Sequence, residues 1–105
     1  MAAPYNPPVK GEDFVFYISL EDAAVPGSFK ANPTIAAGDF QVSKDDGALA
    51  DLTTLPSVLP AGSIWVKVTV SAAEMTADGV KIQGIDQTAD KEWNDFSLCV
   101  PTTSA

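Results

Sequence analysis

The sequence contains no histidine. The commonest general base and the commonest metal ligand are therefore missing, and no Ser-His-Asp or Cys-His arrangement can form. A single cysteine, Cys99, excludes an internal disulfide and a cysteine-based zinc site. We expect Cys99 to be a small buried apolar residue of a terminal strand; an intermolecular bridge is the other reading. Cations are scarce as well: six lysines and arginines stand against 14 aspartates and glutamates, for a net charge of −8. Affinity for a phosphate backbone or an anionic membrane comes from clustered cations, so neither nucleic acid nor membrane is an expected partner. No apolar run approaches the ~18–20 residues that cross a bilayer. The N-terminal "MAAPYNPPVKGED" lacks the cationic start and apolar stretch of a signal peptide, so synthesis and retention in a cytosol are expected.

What is present reads as a single β domain. The chain has 105 residues, 46% of them apolar, which suits one hydrophobic core and argues against disorder. Alternation of apolar and polar residues marks strands. In "DFVFYISL", Phe14, Phe16, Ile18 and Leu20 share a face; in "SIWVKVTV", Ile64, Val66, Val68 and Val70 do, with Trp65, Lys67 and Thr69 opposite. "DFQVSKD" turns Phe40 and Val42 inward, "GVKIQGI" Val80 and Ile82, and "EWNDFSLCV" Phe96, Leu98 and Val100. A short strand near residues 48–52 makes six. Pro26-Gly27, Asn32-Pro33 and "LPSVLPAG" supply turns and crossings. In "SAAEMTADG", Ser71 and Glu74 have capping-box spacing and Gly79 suits a stop, which predicts a short helical turn over about 72–78. The expected fold is an all-β, immunoglobulin-like antiparallel sandwich of about six to seven strands. Residues 1–11, with three prolines, read as an extended arm, 12–100 as the sandwich, and 101–105 as a polar tail.

The carboxylates cluster around "VSKDDGALADL", with Asp45, Asp46 and Asp51 inside it and Asp39 just upstream. An EF-hand loop needs glycine at its sixth position and glutamate at its twelfth. Placing Gly47 sixth puts Val42 first, Lys44 third and Thr53 twelfth, and the pattern fails at each. A tight hairpin turn explains the stretch instead, with Asp46-Gly47 supplying positive φ. Asp45 with Asp46, or Asp78 with Asp86, are paired carboxylates by residue type only. No catalytic residue, cofactor or metal is expected. The candidate interface residues are Trp65 and Trp93, as exposed aromatics that anchor a protein partner or stack on a sugar, and Tyr5, Pro7 and Pro8 in the arm.

The order "FVFYISL … FKANPTIAAGDFQVSKDDGALADL … VKVTVSAAEMTADGVKI" resembles a recurrent module of tailed-bacteriophage virion proteins. The likeness covers about residues 11–100 and rests on "SKDDGA" together with "SAAEMTADG". Asp46 stands where that module often has glycine. The resemblance implies an immunoglobulin-like sandwich built into a virion assembled in the host bacterial cytoplasm: a capsid decoration, head fibre or tail appendage without enzymatic activity. Its implied partners are capsid, neck, tail or fibre subunits and copies of itself. The alternative from the residues alone is a carbohydrate-binding adhesin module that uses Trp65 or Trp93 on host glycans.

Overall fold

A computed structural model describes residues 7–103. Its strands are β1 (Phe14–Ser19), β2 (Phe40–Lys44), β3 (Ala50–Asp51), β4 (Ser57–Val58), β5 (Trp65–Val70), β6 (Gly79–Gly84) and β7 (Phe96–Pro101). They form two antiparallel sheets, one of order β1-β5-β4 and one of order β3-β2-β6-β7. This is the immunoglobulin-like arrangement: β1, β5 and β4 take the places of strands B, E and D, and β3, β2, β6 and β7 those of C′, C, F and G. No described strand takes the place of strand A beside β1.

The expected faces are the observed ones. Phe14, Phe16 and Ile18 lie opposite Val70, Val68 and Val66, and those three valines are fully buried. From the other sheet come Phe40, Val42, Val80, Ile82 and Val100. Phe40 pairs with Gly84 in register, and a Cβ at Gly84 would sit 2.9 Å from the Phe40 ring. Glycine there makes room for an aromatic cluster in which Phe40 lies 5.6 Å from Trp93 and 6.2 Å from Phe96, centroid to centroid. Among the described residues, every buried side-chain nitrogen and oxygen has a hydrogen-bond partner.

Three local expectations change. First, the "KDDG" turn is shifted by one residue. Gly47 N–H donates to Lys44 O at 2.9 Å, and the central residues Asp45 and Asp46 have φ of 49° and 64°. Aspartate reaches this region at modest cost because its short carboxylate bonds locally. Gly47 serves a different purpose, since a Cβ there would come within 3.0 Å of the Lys44 carbonyl. Second, residues 72–78 form a turn, and no helix occurs among the described residues. The capping box is nonetheless complete: Glu74 N–H donates to Ser71 Oγ, and Ser71 N–H donates to Glu74 Oε1. One helical bond follows, from Met75 N–H to Ser71 O. Burial of Met75 and Ala77 then commits the chain to the core before a second turn forms. Third, Ser57–Val58 inside "LPSVLPAG" is a two-residue edge strand, a position where flanking prolines are tolerated.

The described part of the arm, residues 7–11, bonds to the domain itself. Val9 bridges Thr103 in parallel, with Thr103 N–H donating to Pro8 O at 2.8 Å and Lys10 N–H to Thr103 O at 2.9 Å. Residues 8–10 thus pair with Thr103, just beyond β7, and Gly11 N–H donates to Met75 O at 3.1 Å. The next bonds of this parallel ladder would need the N–H groups of Pro8 and Pro101, and proline has none. Among the described residues the pairing is this one bridge.

Candidate interaction surfaces

The two sheets present different outer faces. Outside the three-stranded sheet, Ser19 lies opposite Trp65, Tyr17 opposite Lys67 and Ser57 opposite Lys67. Leu59 N–H donates to Trp65 O, which extends the same row. Tyr17, Leu59 and Trp65 are each about half exposed, at 53%, 46% and 49%. Lys67 stands among them as a cation in the same row.

Outside the four-stranded sheet the face is polar. Gln41 Nε2 donates to Asp51 Oδ1 at 3.1 Å and Gln83 Nε2 to Gln41 Oε1 at 3.5 Å, a hydrogen-bonded row across three strands. Beside it an open hollow of about 490 Å³ is lined by Ser43, Asp46, Leu49, Lys81, Gln83 and Cys99. Lys81 and Asp46 form an ion pair at its rim. The hydrogen bond and charge of Lys81 hold the Asp46 carboxyl below its ordinary range, and Asp46 in turn raises Lys81. Cys99 stands opposite Lys81 on β7 and is exposed. The expectation of a buried cysteine is therefore corrected: Cys99 falls on the outward phase of its strand, with Val100 buried beside it.

The predicted interface residues separate. Trp65 is on the surface, as expected. Trp93 is not: it is fully buried, its indole N–H donates to Thr34 O at 3.1 Å, and its ring packs on Phe40. The surface reading of Trp93 is overturned because the loop between β6 and β7 crosses to the other sheet. Asp22 bridges Trp93, and Asn94 N–H donates to Glu21 O at 2.9 Å. Sequence alternation cannot show a loop residue that fills the core from the end of the sandwich. Pro7 and Pro8 are half-buried, Pro8 through its bond to Thr103; Tyr5 lies outside the described residues.

The carboxylates are structural couplings. Asp45 Oδ1 accepts the N–H groups of Asp78 and Gly79 at 3.1 and 3.0 Å, and Lys44 Nζ donates to Ala73 O. Buried Asp39 accepts from Ala36 N–H and Gln87 N–H. Asp86, also buried, accepts from Thr88 N–H and hydroxyl and from Glu92 N–H. Burial pushes the Asp86 carboxyl up, and these hydrogen bonds outweigh it, so the group lies below its ordinary range. Among the described residues, no three metal-ligating side chains come together. Sequence reasoning missed Tyr17 and Leu59 as companions of Trp65; the cross-strand register needed to align them is not visible in any one strand. No protein-family model, curated protein or solved structure matches the chain.

Proposed function

We propose that the chain is a non-enzymatic structural component of a tailed-phage virion, an accessory particle protein of the capsid-decoration or fibre-appendage kind. Its N-terminal arm and the outer face of the β1-β5-β4 sheet dock it on neighbouring subunits. The observation that carries this reading is the union of its two resembling motifs: Asp45 of "SKDDGA" accepts both N–H groups of the Asp78-Gly79 step of "SAAEMTADG". Two stretches that would each be unremarkable turns are one coupled unit in space. The aromatic face, with Tyr17 and Trp65 about half exposed, supports a docking role.

Pro8 and Lys10 bond to Thr103, so the informative truncation removes residues 1–6 and leaves that bridge intact. The truncated protein is expected to fold with an unchanged melt and to be lost from purified particles, scored by immunoblot. Normal incorporation would remove the arm from the docking mechanism. Absence of the intact protein from particles, sought by labelled electron microscopy of virions, would overturn the virion reading itself. Half-exposed Trp65, beside Lys67, favours glycan stacking as the second reading; Trp93 is no longer available for it.

A further inference from the structure

We propose that the free edge of β1 accepts an extended segment of a partner protein as an added strand. The segment is apolar at alternate positions and carries lysine or arginine at both ends. This inference stands independently of where the protein works.

The backbone geometry identifies the open groups. Leu59 N–H donates to Trp65 O, so Trp65, Lys67 and Thr69 direct their backbone groups to β4, and the intervening valines direct theirs to β1. In the observed register Phe14, Phe16 and Ile18 then bond β5, and Val15, Tyr17 and Ser19 point their N–H and C=O groups away from it. Among the described residues these three have no backbone partner. The opening is bounded at both ends. Past β1, Ala23 N–H donates to Glu92 O and Asn94 N–H to Glu21 O. Before it, the Asp13 carboxylate accepts Ala72 N–H at 2.7 Å.

The core under this edge is incompletely covered. Phe14, Phe16 and Ile18 are only partly buried, whereas their partners on β5 are fully buried. An added strand would cover all three. Of the other edges, β3 and β4 have two residues each, and β7 is closed at its C-terminal end by Pro101 and by the bridge from Val9 to Thr103 just beyond it. β1 is six residues long, "FVFYIS", with neither proline nor charge, which is the kind of edge that natural sheets normally protect. Strand addition uses such an edge, with main-chain bonds for affinity and alternate side chains for specificity.

Charge selects the occupant. Glu12 and Asp13 flank one end of β1, and Glu21, Asp22 and Glu92 the other. None of these five is in an ion pair among the described residues. The nearby cations are Lys67 on β5, Lys30, whose N–H bonds Leu20 O, Lys44, which bonds Ala73 O, and Lys10, which is paired with Asp78; against the five carboxylates they leave an acidic excess. A second copy paired antiparallel through β1 would set Glu12 and Asp13 against Glu21 and Asp22, between two chains of net charge −8. A segment with basic ends meets the opposite field.

The test is amide hydrogen exchange by NMR on the full chain, with synthetic peptides of about ten residues alternating valine and threonine. The amides of Val15, Tyr17 and Ser19 should exchange fast in the free protein and become protected on adding the lysine-flanked peptide. A glutamate-flanked peptide should bind at least about tenfold more weakly. A lysine-flanked peptide N-methylated at alternate residues should not bind. Tyr17→Pro should abolish binding and preserve the β1-β5 ladder, because the Tyr17 N–H is outside that ladder. Protection of the three amides in the free chain would overturn the proposal, with sedimentation assigning the occupant to a second copy or to the chain's own terminus. Unprotected amides at saturating peptide, or equal binding by the N-methylated peptide, would also overturn it.

Discussion

At the residue scale, two tryptophans of the same composition class have opposite fates. Trp93 has a buried acceptor in the Thr34 carbonyl and an aromatic neighbour in Phe40, and it fills the end of the core. Trp65 alternates with fully buried Val66 and therefore faces outward. Removing its ring should leave the fold nearly untouched. Trp65→Ala is expected to change stability by no more than about 0.5 kcal/mol, as for other surface substitutions. It should cost about 2 kcal/mol or more in binding if the face is a docking or stacking surface. Paired thermal melts and particle-incorporation or glycan-array assays separate the two effects. A large fall in melting temperature would show that Trp65 belongs to the core.

At the scale of elements, the turn after β5 is held by three carboxylates, Asp13 and Asp45 at its ends and Glu74 within it. Glu74 is mostly buried. Its Oε1 accepts the Ser71 N–H and hydroxyl, and its Oε2 accepts the Thr53 N–H at 2.9 Å and hydroxyl at 3.3 Å. It therefore ties the turn to the chain after β3. Glu74→Ala would leave two backbone donors without partners, a loss of about 1–3 kcal/mol in urea denaturation. An unchanged midpoint would mean that water replaces both bonds without penalty. The same turn shows what the sequence could and could not convey. The Ser71–Glu74 spacing correctly indicated the capping bonds, because these depend on neighbours a few residues apart. It did not indicate where the helix would fail, because burial of Met75 and Ala77 depends on strands distant in sequence. Strand faces were legible for the same local reason: a period of two appears in each segment. Leu98 kept its inward register opposite Ile82, yet it is 37% exposed, because alternation does not reveal which strand ends up at an edge. The β4 edge strand and the crossing of Trp93 were hidden likewise. Of the candidate interface residues, Trp65 could be placed from its strand phase alone, whereas Tyr17 and Leu59 required the register.

For the whole molecule, the acidic balance governs the response to pH. Asp86 has its carboxyl lowered in the folded state by net hydrogen bonding. Asp46 is lowered by Lys81, and Glu21 by Asn94 and the Gly27 N–H. A lowered folded pKa means that the unfolded chain binds more protons as pH falls through the carboxylate range. The contribution is complete above the ordinary carboxylate pKa (~4) and is lost as pH falls toward the lowered folded value. Stability measured by denaturant titration should therefore decline below about pH 4. Asp86→Asn should be less stable at neutral pH, since an amide cannot accept all of the Asp86 bonds, and its decline in acid should be shallower. Identical acid limbs for both proteins would remove Asp86 as a contributor.

The bonds from Asp45 to the Asp78-Gly79 step join two stretches some thirty residues apart in a way that is asymmetric in sequence. The carboxylate belongs to the Asp45 side chain and the donors to the backbone, so exchange of the first turn for one without Asp45 would leave the amides of residues 78 and 79 to water. Sequence change at this corner of the sandwich is therefore limited at Asp45, while the second stretch is free to vary in side chain wherever its backbone N–H groups keep their place.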